Sequence, residues 1–123
     1  MTTALILFAH GARDPRWREP FDRLEALVRT RHHGPLALAF LEHMAPGLAD
    51  AARAVADAGA SRAVVVPLFL GTGGHLRRDL PVQLAEARAA AGIPLESVTA
   101  AGEDSVVLAA LADYCVAAAR SAD

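Results

Sequence analysis

This chain of 123 residues contains no lysine; all twelve of its basic residues are arginine. It also has a single cysteine, Cys115. One cysteine excludes an internal disulfide and a thiolate-rich structural zinc site, and it suits a reducing cytoplasm. No stretch approaches the roughly 20 apolar residues that span a bilayer. The opening Met1-Thr2-Thr3 has no charged leader, and Ala4–Ala9 is too short for a signal-peptide core. Excess positive charge is missing too: the formal net charge of −2 argues against a nucleic-acid backbone as partner. The expectation is a soluble cytoplasmic protein with neither a nucleic acid nor a membrane as partner. The lack of lysine shapes recognition as well, because any anion is then held by planar guanidinium forks, which suit carboxylates.

What is present is a single core's worth of chain. With 54% hydrophobic and 21% charged residues, positions 1–123 suit one globular domain. Four short apolar, turn-bounded runs, Ala4–Ala9, Leu36–Leu41, Ala63–Leu70 and Ile93–Ala100, have the character of buried parallel strands. Helical periodicity fills the gaps at Pro15–Arg31, Pro46–Ala58, Leu80–Ala91 and Ser105–Arg120. In the last of these, Val107, Ala110, Leu111, Tyr114 and Ala118 share one stripe, and Cys115 is expected in or near the core. Asp14-Pro15 marks a helix start, while Gly34, Gly59 and Gly92 follow helix ends. Alternation of strand and helix with right-handed crossovers gives an α/β open parallel sheet of about four strands with helices on both faces, a flavodoxin-like arrangement. In such sheets the binding crevice lies outside the carboxyl ends of the strands.

Those ends carry the chemistry. The first run leads into His10-Gly11-Ala12-Arg13-Asp14, the second ends at Glu42-His43, and the third leads into Gly71-Thr72-Gly73-Gly74-His75-Leu76-Arg77-Arg78-Asp79. Three histidines and a carboxylate thus gather on one rim, a donor set suited to Co²⁺, Fe²⁺, Ni²⁺ or Zn²⁺. Gly71, Gly73 and Gly74 are expected to take positive φ and let the backbone approach a flat ligand. The tract lacks the spacing and the lysine of a phosphate loop. Two tracts share the pattern H-x-x-R-D, His10 to Asp14 and His75 to Asp79, and in each the aspartate is positioned to cap a following helix. Glu103-Asp104 is expected to cap the last helix, and Trp17 to anchor the first helix or wall the cleft. His32-His33 fit a helix C-terminus.

The segments HGARDPRW, AFLEHMAP and VPLFLGTGGHLRRDLP, together with the late AGED tract, resemble the small class II sirohydrochlorin chelatases of the CbiX/SirB type. The resemblance covers nearly the whole chain and implies a flavodoxin-like homodimer that inserts Co²⁺ or Fe²⁺ into sirohydrochlorin, with Ni²⁺ used by a related branch. It implies that His10 binds metal and accepts a proton, that His75 is the second metal histidine, and that Glu42 is an acidic site residue. It also implies that Leu70, Gly71, Thr72, Gly73 and Gly74 line the macrocycle and that Ala45 touches it. No tightly bound cofactor is implied; the metal is a substrate. The chain closes on Arg120-Ser121-Ala122-Asp123, without the His-rich or Cys-rich tail of some relatives.

That chemistry suits the residues. Metallation exchanges two pyrrole N–H protons for one divalent cation, so the site must hold a metal weakly and accept protons. Imidazole does either near neutral pH, but one nitrogen lone pair cannot do both at once. Arg13, Arg77 and Arg78 stand on the histidine loops, where forked bonds would orient an acid-rich ring. The competing readings are a non-catalytic metal or tetrapyrrole carrier and a metal-dependent hydrolase. The hydrolase lacks a G-x-S-x-G elbow, and Ala9 stands where a histidine phosphatase needs arginine.

Overall fold

The computed structural model describes residues 2–122; Met1, in the expected leaderless start, and Asp123, at the end of the expected plain tail, lie outside the described residues. Strands β1 (Thr3–Ala9), β2 (Leu36–Phe40), β3 (Arg62–Pro67) and β4 (Leu95–Ser97) alternate with helices α1 (Glu19–Arg29), α2 (Leu48–Asp57), α3 (Gly74–Ala91) and α4 (Ser105–Ala122). Short 3₁₀ turns precede α1 at Pro15–Arg18 and α4 at Ala101–Glu103. All pairings are parallel and the order is β2-β1-β3-β4. The chain therefore steps outward from β1 to β2, then returns across β1 to reach β3. The point where the direction reverses lies between the carboxyl ends of β1 and β3, the position at which open sheets of this kind hold ligands.

The strand alternation sorts the core into two layers. Ala4, Ile6 and Phe8 of β1 face the same way as Ala63 and Val65 of β3 and Leu95 of β4, and α2 and α3 cover them. Alanines at the joint, Ala51, Ala52 and Ala87, let the two helices approach each other and the sheet closely. Fully burying a side chain such as Ile6 or Phe8 contributes about 1.5–3 kcal/mol. The opposite face is only partly roofed. Leu7, Ala9, Leu38 and Phe40 pack under Trp17, Phe21, Leu24 and Val28, the inward face of α1 and the turn before it. Trp17 stacks on Phe21 with ring centroids 4.5 Å apart, which makes it a packing anchor.

Three expectations need correction. First, α3 begins at Gly74, not Leu80, which carries His75 and Asp79 out of the loop and onto the helix. Second, positive φ falls at Gly11, Gly59 and Gly92, and not at Gly71, Gly73 or Gly74. Third, Cys115 is exposed, as is nearly all of α4; Val107 is half-buried, and none of the described residues of the helix is buried. By length and composition α4 is also apolar enough to cross a membrane, which the sequence reading did not anticipate.

Candidate functional site

The loops after β1 and β2 are stitched together beneath the rim. Leu41 donates to the Ala9 carbonyl at 2.8 Å, and Glu42 donates to the His10 carbonyl at 3.1 Å. Gly11 makes this possible: its φ is +88°, and a Cβ there would stand 1.9 Å from the Glu42 carbonyl oxygen. His10 is thereby fixed at the mouth of the crevice. Its ring lies against Phe69, centroids 4.3 Å apart, and Phe69 is itself buried against Phe8. The histidine is exposed on one side and backed by a buried aromatic on the other.

The second loop turns sharply. Met44 donates to the Glu42 carbonyl at 2.8 Å, and His43 between them takes φ of +67°. The His43 Nε2 lies 3.8 Å from Glu42 Oε1, and both side chains are exposed. The Ala45–Pro46 peptide is cis, and the Ala45 carbonyl accepts from the Arg18 guanidinium at 3.0 Å. Arg18 also lies over the Phe40 ring, 5.2 Å from its centroid, so it clamps this loop to the roof helix.

The third loop rises from β3 through Leu68 and Phe69 to Leu70, which is 72% exposed. It is held from behind by Gly102, which donates to the Phe69 carbonyl at 2.8 Å and passes so near Leu70 that a Cβ would meet its carbonyl oxygen at 1.8 Å. Around Gly71, Gly73 and Gly74 there is open space where side chains would be. Because α3 starts at Gly74, His75 stands in its first turn, and Asp79 one turn later reaches it: His75 Nε2 to Asp79 Oδ2 is 2.9 Å. Asp79 is thus a partner of His75, not a helix cap. Asp14, by contrast, does cap the turn before α1, accepting from the Arg16 amide at 2.9 Å and the Arg16 side chain at 2.7 Å. That guanidinium bond, followed by the amide bond, holds the Asp14 carboxyl below its usual value and raises Arg16.

His10 directly follows β1, Glu42 and His43 lie just past the end of β2, and His75 stands in the first turn of α3, beyond the loop that leaves β3. Among the described residues no three metal-ligating side chains form a ready cage. Arg13, Arg77 and Arg78 are exposed beside them, while Arg16 is committed to Asp14. An open depression of about 190 Å³ lies elsewhere, on the flank of α1 between Leu24, Leu27, Val28 and Arg31.

Three contributors escaped the sequence reading. Phe69, the platform under His10, is indistinguishable in sequence from the core residues before it. Arg18 gave no signal for its bond to Ala45. Asp79 did give one, its i,i+4 spacing from His75, which becomes visible once the helix is known to start at Gly74.

The geometry has counterparts. Residues 4–117 match the family model described as CbiX. The sirohydrochlorin cobaltochelatase of Methanocaldococcus jannaschii is 35% identical over 79 residues, 63% of this chain and 55% of that protein. The crystallised CbiX protein of Marinobacter aquaeolei VT8 superposes with a TM-score of 0.86 at 28% identity, covering 97% of this chain and 98% of that one. The sirohydrochlorin chelatase SirB of Bacillus subtilis subspecies spizizenii, solved in complex with cobalt, gives a TM-score of 0.74 at 25% identity, covering 85% of this chain and 45% of that one. The chain thus spans about half the length of the cobaltochelatase and of SirB.

Proposed function

Since the chain belongs to the CbiX family, we propose that it is a sirohydrochlorin chelatase, exchanging two pyrrole protons for a divalent cation, Co²⁺ or Fe²⁺, on the way to a cobalamin or sirohaem. The observation that carries the reading is that the loops leaving the neighbouring strands β1 and β3 each lead to a supported histidine, His10 against Phe69 and His75 against Asp79. The names of the cobaltochelatase relative and of the cobalt-bound SirB support the same substrate class. Cobalt or iron is a substrate here, with no resident cofactor, and the protein works in the cytoplasm.

The two histidines have different jobs. With its Nε2 proton directed at Asp79, His75 keeps its Nδ1 lone pair for the metal, an arrangement in which the carboxylate fixes the tautomer and strengthens the ligand. His10, on its aromatic shelf, ligates the incoming ion and then takes a pyrrole proton once the ion has moved into the ring; Glu42 takes the second. Two imidazoles with open positions hold a metal loosely enough to give it up, which a closed tetrahedral set does not. The ring lies on the shelf formed by Leu70 to Gly74, where the glycines leave room for a flat ligand, with Ala45 at its edge and Arg13, Arg77 and Arg78 reaching its carboxylates.

The test follows the visible absorption of sirohydrochlorin anaerobically with Co²⁺, Fe²⁺ and Ni²⁺ in turn. The intact protein is expected to outpace the free-solution reaction, and His10→Ala to lower the rate by about 100-fold or more. Binding of the ring without any acceleration would make the protein a carrier, and full activity in both His10→Ala and His75→Ala would remove the two-histidine mechanism.

A further inference from the structure

One carbonyl is left over where β1 and β2 separate. The parallel register pairs Ala9 with Phe40, and the Leu41 amide still donates to the Ala9 carbonyl at 2.8 Å. The next rung of such a ladder would run from the Gly11 amide to the Leu41 carbonyl. The chain turns there instead, with Gly11 at φ of +88°, and Glu42 donates to the His10 carbonyl. Among the described residues no backbone amide donates to the Leu41 carbonyl, although Leu41 is buried. A buried carbonyl needs a donor. It comes from α3, where Gln83 Nε2 donates to Leu41 at 3.2 Å.

Gln83 follows His75 and Asp79 at the spacing i, i+4, i+8, so one side of α3 carries all three. About 12 Å of helix separates His75 from Gln83. A second bond, from Arg88 Nε to the Leu95 carbonyl at 2.9 Å, ties the later part of α3 to the start of β4. Since β2 and β4 are the two edges of the sheet, α3 is fastened toward both. The rest of its hold is apolar: Leu76, Leu84 and Ala87 are buried, with Leu80 against them, in the cluster that includes Ala51 and Ala52 of α2. Burial of this kind is non-directional, and alanines make low ridges that interlock weakly. The two hydrogen bonds are directional, and they set how far α3 slides and turns.

We infer that Gln83 is a positioning residue for metal binding: by holding α3 to the carbonyl beside Glu42, it sets where the helix presents His75 relative to His10 and Glu42. The inference rests on the chelatase reading, in which the two histidines share one ion. The connection is short on both sides. Leu41 precedes Glu42 directly, and its amide is bonded to Ala9, the residue before His10. On α3 the hydrogen-bonded helix runs unbroken in direction from Gln83 back to the first turn, where Asp79 holds His75. Gln83 itself touches neither ion nor ring. Its influence on the metal passes through the placement of one imidazole.

Two measurements on the full chain test this: Co²⁺ titration without the ring, followed by the visible absorption of the bound ion, and steady-state metallation. Gln83→Met keeps the length of the side chain and removes the donor. It should weaken Co²⁺ binding and raise the KM for Co²⁺ by about 10-fold each, while kcat at saturating Co²⁺ holds. Gln83→Lys restores a donor on a stem long enough to reach Leu41, and it should recover most of the affinity. In His75→Ala, where His10 keeps a weaker hold read at higher Co²⁺, Gln83→Met should cost nothing further, because both changes act through one ligand. Glu86→Gln, exposed on the same helix, should bind as the native chain does. Native affinity in Gln83→Met overturns the inference, as does an equal loss in Gln83→Lys. The same loss with and without His75 also overturns it, since Gln83 would then act on the fold at large. The expected affinities in a chain that never metallates sirohydrochlorin would support the positioning role and remove the chelatase reading instead.

Discussion

The tracts His10 to Asp14 and His75 to Asp79 have the same spacing of histidine, arginine and aspartate, and the chain uses them differently. In the first, the backbone leaves β1 through Gly11 at positive φ, so His10 and Asp14 are separated by a turn, and Asp14 serves the helix that follows. In the second, Gly73 and Gly74 keep ordinary φ values, and α3 begins before the histidine instead of after it. Helical geometry then brings residues i and i+4 together, and Asp79 serves His75. The difference lies in where the first helical hydrogen bond forms. A glycine after the first histidine breaks the chain direction, whereas glycines before the second permit a helix start.

If the two histidines differ in this way, their removal should differ in kinetics. His10→Ala is expected to lower kcat by about 100-fold or more, as loss of a proton acceptor does. His75→Ala should act first through the metal, raising its KM while added imidazole restores part of the rate. Identical effects on kcat and KM in the two variants would erase the contrast. Next in size comes the glycine comparison. Gly11→Ala forces a side chain against the Glu42 carbonyl in a left-handed conformation, and urea unfolding should show a loss of about 1–3 kcal/mol. Gly74→Ala has open space and helical φ, and it should be neutral or stabilising by up to about 1 kcal/mol. Equal losses would mean that both glycines are needed for the same reason.

The same contrast shows how much the sequence could disclose. The strands were legible because Ala4, Ile6 and Phe8 alternate with residues that face the other layer, and because both faces of a parallel sheet are apolar. That His10 and Glu42 stand just past the carboxyl ends of β1 and β2 could be read from that alternation as well. The start of α3 could not, because two adjacent glycines have poor helix propensity and Gly73 offers no side-chain cap, so Gly-Gly-His resembles a loop. Positive φ was expected at the wrong glycines for a related reason: it is dictated by a neighbour far along the chain, such as Glu42 against Gly11. For α4 the stripe was correctly identified and its burial was not. Periodicity marks an apolar face and does not say whether the chain itself covers it.

The carboxylates give the smaller tests. Asp79→Asn keeps the size and most of the hydrogen bonding at 2.9 Å from His75 but removes the charge that fixes the ring. Loss of such a supporting carboxylate should reduce metal affinity or rate by about 10-fold or more, with the fold unchanged by circular dichroism. Asp14→Ala should leave metallation at the native rate and lower the urea midpoint slightly. Its effect on stability carries a pH signature. The Arg16 bond depresses the Asp14 carboxyl below its ordinary value of 3.8, so the contribution is complete above that pH and fades as acid protonates the folded state. Native and Asp14→Ala proteins should therefore differ at neutral pH and converge on acidification. A difference that stays constant down to the acid transition would show that Asp14 acts through packing and not through its charge. A chelatase defect in Asp14→Ala as large as that of Asp79→Asn would show that the two tracts do the same work after all.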